Sequence, residues 1–162
     1  MNTTEFNTIV RQWSPHLLRF AYRQLNNMDA AKDAVQDAFE VFWKNKDSVD
    51  PSKAKQYLFT VVFRKGIDNF RMRKNETDTD ILSNVSAHGQ ALDAAYSDKE
   101  LIAMALEQLP DLQRQLILLR DLEGYDYNEI SEITGLNLSQ VKVYLFRARK
   151  TLKDTITTIE AL

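Results

Sequence analysis

Between Asp126 and Thr157 a single glycine, Gly135, interrupts a helical pattern that contains no proline. Ahead of it, "DYNEISEIT" puts Ile130 and Ile133 on one side, behind Asp126 and Glu129 at the spacing of a capping box. Beyond it, Val141, Leu145, Ala148 and Leu152 recur at i, i+4, i+7 and i+11, a single helical face. Two apolar stripes this close in sequence bury each other when the chain reverses at the glycine. The result is a short helix, a turn and a longer helix, the helix-turn-helix motif. Ser139, Gln140, Lys142, Val143, Arg147 and Lys150 lie off the apolar face. In such a pair the front of the second helix reaches base edges in the major groove, and cations further along hold phosphates.

The rest of the chain reads the same way. Only 4 Gly and 3 Pro occur in 162 residues, so turn chemistry is sparse and the expected fold is all-α. Helical spacing runs through residues 5–26, with Pro15 expected to mark a break or a new first turn. It continues over 29–44, with Asp29 as N-cap, and over 54–74, after a polar loop at 45–53. A polar, acidic stretch follows at 75–97 and reads as a linker. Asp98 and Asp111 are the expected N-caps of the next two helices, separated by Pro110, and Gly124 ends the second. The last helix is expected from about Ser139 to Thr157. The architecture is therefore two small helical domains, residues 1–74 and 98–162, joined by a flexible linker at 75–97. The C-terminal domain is the helix-turn-helix.

Charge sharpens the functional reading. The formal net charge is −2, which by itself opposes nucleic acid. Its distribution does not. Residues 53–74 sum to +6 and residues 133–153 to +5, whereas 75–97 sum to −4 and 98–132 to −6. Each basic block attracts a phosphate backbone locally. In the first block, "YLFTVVFRKGIDNFRMRK" interleaves aromatic and basic side chains. That pattern suits either bases stacked on rings beside backbone-tracking cations, or a helix whose rings form its core.

Other classes are disfavoured. The absence of cysteine removes disulfide frameworks and thiolate metal sites and fits a reducing cytoplasm. His16 and His88 stand far apart, so no metal site is expected. No apolar run approaches the ~20 residues that span a bilayer, and no membrane contact is expected. Asp33, Asp37 and Glu40 share a helical face, which suits a solvated or docking surface better than a catalytic pair. No phosphate loop or nucleophile signature appears. The expectation is a protein without catalysis, metal or cofactor.

Taken in order, these segments resemble the extracytoplasmic-function sigma factors, two-domain bacterial transcription initiation factors. "DAAKDAVQDAFEVFWK" is similar to the family's second conserved segment, through Asp33, Val35, Gln36, Asp37, Phe39 and Trp43. The helix "YLFTVVFRKGIDNFRMRK" matches through Leu58, Asp68 and Arg71. The opening "LPDLQR", the turn "EGY" and the ending "VKVYLFRARKTL" match the second domain. The resemblance implies docking on core RNA polymerase, at the β′ clamp helices and the β flap, with Asp33, Gln36, Asp37, Phe39, Glu40 and Trp43 at the clamp. It implies melting and capture of the −10 element by Arg64, Lys65, Asp68, Asn69, Arg71, Arg73 and Lys74. It further implies −35 recognition by Ser139, Gln140, Lys142, Val143, Tyr144, Arg147 and Lys150, and an anti-sigma factor as a partner. Two departures stand out. Arg64 occupies a position usually held by Asn. Val143 and Tyr144 replace a small polar residue and an Arg, so Gln140 pairing with adenine and Val143 touching a thymine methyl would shift the −35 preference.

Two rival readings share parts of this pattern. One is a dimeric helix-turn-helix repressor or activator, which needs a dimer interface. The other is a helical interaction protein with no DNA role.

Overall fold

A computed structural model describes residues 1–76 and 96–161, with side chains placed through Met72 in the first stretch. All regular structure among the described residues is helical. Of the linker expected at 75–97, residues 77–95 lie outside them, and residues 75 and 76 belong to the preceding helix.

Helix α1 spans Thr3–Leu25 behind a reciprocal Asn2–Glu5 capping box, and ends at Asn26 with a left-handed φ of 52°. Pro15 neither breaks nor restarts it. The ring is exposed, so the missing N–H falls on the solvent side, where its loss costs least. Helix α2, Met28–Lys44, is capped by Asn27, whose side chain accepts from the Ala30 N–H at 2.9 Å. Asp29 sits in the first turn instead, where its charge meets the helix dipole. Two short 3-10 turns, Lys46–Ser48 and Pro51–Lys53, lead into α3, Ala54–Glu76. This helix runs two residues beyond the expected 74.

The second half begins with α4, Asp98–Gln108, whose N-cap is Ser97 and not Asp98. Pro110 precedes α5, Asp111–Ile117, so Asp111 is a first-turn residue and not its cap. A π-helical turn, Leu118–Leu122, extends α5, and Leu116 through Leu119 are all buried. That hydrophobic-all-round run marks α5 as the central helix of its half. Helix α6, Tyr127–Thr134, carries the expected Asp126–Glu129 capping box and ends at Gly135 with φ 79°. Helix α7, Leu138–Glu160, starts one residue before and ends three after the expected span, and is capped by Asn137.

In the first half, α1, α2 and α3 pack around Leu17, Phe20, Ala38, Phe42, Leu58 and Val62. In the second, Ile130, Ile133, Val141, Leu145 and Ala148 close around α5. Fully burying each such Leu, Ile or Phe side chain contributes ~1.5–3 kcal/mol. These two sets belong to one continuous core. Phe59 of α3 is fully buried and meets Tyr125 edge-on at 5.4 Å between ring centres. The Lys55 ammonium lies 4.7 Å from the Tyr125 ring and 4.8 Å from that of Trp13. Arg19 of α1 donates to both oxygens of Glu123, at 3.0 and 3.1 Å. Gln56 of α3 donates to Glu132 of α6. The seam between the halves is thus apolar at its centre and polar at its edge.

Candidate nucleic-acid and partner-docking surfaces

Helix α7 divides sharply into two faces. Val141, Leu145 and Ala148 are buried and Leu152 is half-buried, the stripe its spacing predicts. Ser139, Lys142, Val143, Phe146, Arg147 and Lys150 form a second stripe, at i, i+3, i+4, i+7, i+8 and i+11, and all are exposed. Arg149 lies off it. Its guanidinium is bonded to the Tyr127 hydroxyl and, at 3.1 Å, to Asp121, and these partners hold its pKa above the usual arginine value. Arg149 therefore ties α7 to the segment before α6.

The two family-atypical positions behave differently. Val143 is exposed, whereas Tyr144 is half-buried against the core. Gln140 is exposed, but its side-chain oxygen accepts from the Asn137 N–H at 3.0 Å in the capping box. In this geometry only its amide N–H groups face outward, so the two-point contact to adenine would require the cap to open. Phe146 is not among the contacts expected from sequence. Its signal is positional: it follows Val143 by three residues and precedes Lys150 by four.

Helix α3 answers the question its aromatic–basic pattern raises. Phe59, Phe63 and Phe70 are buried, and Tyr57 is half-buried, its hydroxyl accepting from Asn45 Nδ2 at 3.2 Å. Phe59, Phe63 and Phe70 belong to the core, whereas Tyr57 also lines the cleft beside α3. Arg64, Lys65, Asp68 and Arg71 are exposed and Asn69 is half-buried. Arg64, Lys65 and Asp68 line a cleft of about 710 Å³ formed with the 45–53 turns, and Glu132 of α6 stands on its rim. Lys65 also pairs with Asp37 of α2 at 3.7 Å. The Arg73 and Lys74 side chains lie outside the described residues. Within the cleft, Asp50 accepts from the Ser52 N–H and hydroxyl, both at 2.9 Å. The backbone bond, then the hydroxyl, hold its carboxyl below the usual range.

The α2 candidates form a third surface. Asp33, Gln36, Glu40 and Trp43 are exposed, and Asp37 and Phe39 are half-buried. Gln36, Phe39, Glu40 and Trp43 share a largely apolar groove of about 630 Å³ with Phe6, Val10, Ser14 and Leu18 of α1. The Trp43 ring meets Phe6 edge-on at 4.8 Å and lies under the Lys46 ammonium at 4.0 Å. Sequence reasoning missed the α1 wall. Its four residues recur every fourth position, beside the core stripe of Ile9, Leu17 and Phe20, so the apolar face of α1 is wide enough to serve two surfaces.

Comparison with known proteins decides what these surfaces belong to. Sigma-70 region 2 matches residues 9–76, and Sigma-70, region 4 matches residues 99–152. The ECF RNA polymerase sigma factor EcfG of Rhodopseudomonas palustris (strain TIE-1) is 30% identical over 140 residues, covering 85% of this chain and 77% of that protein. The chain belongs to the extracytoplasmic-function sigma factors. RNA polymerase sigma factor SigV of Bacillus subtilis (strain 168) is 28% identical over 151 residues, covering 93% of this chain and 90% of the relative. Among solved structures, the sigma factor RpoE in complex with the anti-sigma factor NepR from Bartonella quintana superposes with a TM-score of 0.75 at 23% identity, over 96% of this chain and 98% of that one. CnrH in complex with the cytosolic domain of CnrY gives 0.71 at 22% identity, over 97% and 90%. Sigma factors regulate transcription and are not enzymes. No group of three His, Cys, Asp or Glu residues among the described residues is placed to hold a metal ion, and no described helix is long and apolar enough to cross a membrane.

Proposed function

We propose that this sigma factor divides its work among the three surfaces. The groove between α1 and α2 docks on the clamp helices of core RNA polymerase through Gln36, Phe39, Glu40 and Trp43, with Phe6, Val10 and Leu18 as its second wall, and Asp33 and Asp37 of α2 add contacts beside the groove. The cleft beside α3 holds the −10 element through Arg64, Lys65 and Asp68, and Asn69, Arg71, Arg73 and Lys74 of the same helix extend the contact outside the cleft. The exposed stripe of α7 reads the −35 element as duplex. Residues 1–74 and 98–162 act as the two working domains, with 75–97 as the tether. The observation that carries this reading is the exposed stripe of α7, with three cations and no acid, on a chain whose two halves match the two sigma regions in order.

The physical logic is avidity. Polymerase supplies catalysis, and the factor contributes two small DNA contacts and a docking surface to one assembly. Neither DNA contact then needs to be tight alone. The factor itself performs no catalysis, needs no cofactor and works in the cytoplasm beside its polymerase. RpoE of Bartonella quintana is bound to an anti-sigma factor and CnrH to the cytosolic domain of CnrY, and we extend to this chain an anti-sigma factor as the third partner. The seam supports such control, because Glu132 and α6 occupy the rim of the −10 cleft in the packed form. Run-off transcription with core enzyme and a promoter library tests the proposal. Specific start sites that require the purified protein are expected, and their absence would overturn it.

A further inference from the structure

Phe146 is 71% exposed and Val143 45%, the first being the most exposed large apolar side chain among the described residues. A solvent-facing phenylalanine in the middle of a helix normally has a partner. What surrounds it identifies the partner's chemistry. Lys142, Arg147 and Lys150 flank the pair on the same stripe, and residues 133–153 hold no acid. An apolar pair ringed by cations is a poor surface for an ordinary protein groove, which would have to be acidic throughout its rim. It suits the major groove of duplex DNA, where phosphates line both edges and the one apolar feature on the floor is the thymine 5-methyl.

The spacing agrees. Val143 and Phe146 leave α7 about 4.5 Å apart along its axis. Successive bases on one strand lie ~3.4 Å apart along the duplex. With the helix lying along the groove, that spacing lets the two side chains reach neighbouring base pairs. Neither has a polar atom, so neither distinguishes bases by hydrogen bonding. What they distinguish is the presence of a methyl group. Gln140, whose oxygen is held in its cap, contributes less base reading than its position suggests, which leaves more of the preference to this pair.

We infer that Val143 and Phe146 form an apolar reading pair that makes promoter choice depend on one or two thymine methyls in the −35 element. The inference rests on the proposed role of α7. Burying one methyl-sized group is worth ~0.8 kcal/mol, which is about a fourfold change in affinity.

The test uses the full chain with core polymerase. A promoter is first selected from a library. Each thymine of its −35 region is then replaced in turn by deoxyuridine, which deletes the methyl and keeps every hydrogen bond. The expected result is a roughly fourfold loss of binding at one or two adjacent thymines and no change elsewhere. Phe146→Ala should weaken binding to the thymine promoter and abolish the uridine effect at one of those positions. Val143→Ala should remove it at the neighbour. Both residues are exposed, so neither substitution threatens the fold. A wild-type protein indifferent to every uridine overturns the inference while the role of α7 stands. So does a Phe146→Ala protein as sensitive to uridine as the wild type, or one that loses core binding with its DNA binding unchanged. Failure to select any promoter overturns the role of α7, and the inference with it.

Discussion

Two basic helices of this chain meet their surroundings in opposite ways. Helix α7 presents six consecutive stripe positions to solvent, and it packs mainly on α4, α5 and α6 of its own half. Helix α3 is built into a seam: Phe59 meets Tyr125, Lys55 lies over the same ring, and Gln56 donates to Glu132. The same charge density thus has different availability. A duplex can approach α7 with the halves packed as they are. The cleft beside α3 is open along the 45–53 turns but bounded on one rim by an acidic side chain from the other half. Phosphate entering there meets Glu132, whose side chain is held across the seam by its hydrogen bond from Gln56. On the proposed roles, the contrast predicts duplex recognition by the packed chain and fuller access to the first half in a separated one.

The strongest way to break this contrast is Tyr125→Ala. Tyr125 is 3% exposed and fills the centre of the seam. Its truncation is expected to cost about 3–5 kcal/mol, in the range of large aromatic deletions. Amide hydrogen exchange should accelerate in α3 around Phe59 more than at the start of α7. Uniform acceleration of both helices would mean that the seam is not a separable unit.

The next effect acts on the open helix alone. Lys142→Ala with Arg147→Ala should weaken duplex binding at least tenfold, at ~1–3 kcal/mol for a base-reading arginine. It should also flatten the salt dependence by roughly 0.9 for each phosphate left without its cation. The measurement is affinity against salt for the assembled holoenzyme. Thermal stability should not move, since both side chains are exposed. Unchanged affinity would place the DNA-reading face elsewhere.

Sequence makes these two helices unequally legible. The α7 stripe follows from spacing within one helix, so the i, i+4, i+7, i+11 pattern is enough to separate its faces. In α3 the same kind of reasoning leaves core and stacking platform open, because aromatics serve both and only tertiary burial decides. The caps expected at Asp29, Asp98 and Asp111 lie one or two residues earlier in the structure. An aspartate stabilises a helix both as N-cap and in the first turn, and only the backbone tells which. Pro15 suggests a break because the rule concerns lost hydrogen bonds, and an exposed position softens that loss. The seam is invisible for another reason: Arg19 and Glu123 are 104 positions apart, and nothing local to either announces the other. Phe146 escapes notice because a search for cations does not flag an apolar residue among them.

A smaller change probes the edge of the seam. Glu123 is nearly buried, with its side chain 4% exposed, while Arg19 is 40% exposed. Solvent screening on the arginine side keeps the pair well below a fully buried one, so Glu123→Gln should cost only about 1 kcal/mol. That loss should shrink at high salt, where an exposed pair contributes less. Urea unfolding at low and high salt measures it. A salt-independent cost would mean that Glu123 acts through packing beside Tyr125 and not through its charge.

The smallest expected effect is the most discriminating. The Tyr125 hydroxyl is buried and makes no hydrogen bond to the protein. Burial, then the nearby charges of Glu123 and Glu129, pushes its pKa up, so it stays neutral over any ordinary pH. A buried hydroxyl without a partner carries a desolvation cost and returns nothing for it. Tyr125→Phe keeps the ring that meets Phe59 and deletes that cost. Stability should therefore hold or rise by up to ~1 kcal/mol, the seam should tighten, and exchange in α3 should slow. Duplex binding through α7 should be untouched, because α7 does not depend on the seam. If Tyr125→Phe instead loosens α3, the hydroxyl has a partner in solution, such as an ordered water, and the centre of the seam is polar. The two basic helices would then differ less than their burial suggests, since a hydrated seam opens at lower cost than an apolar one.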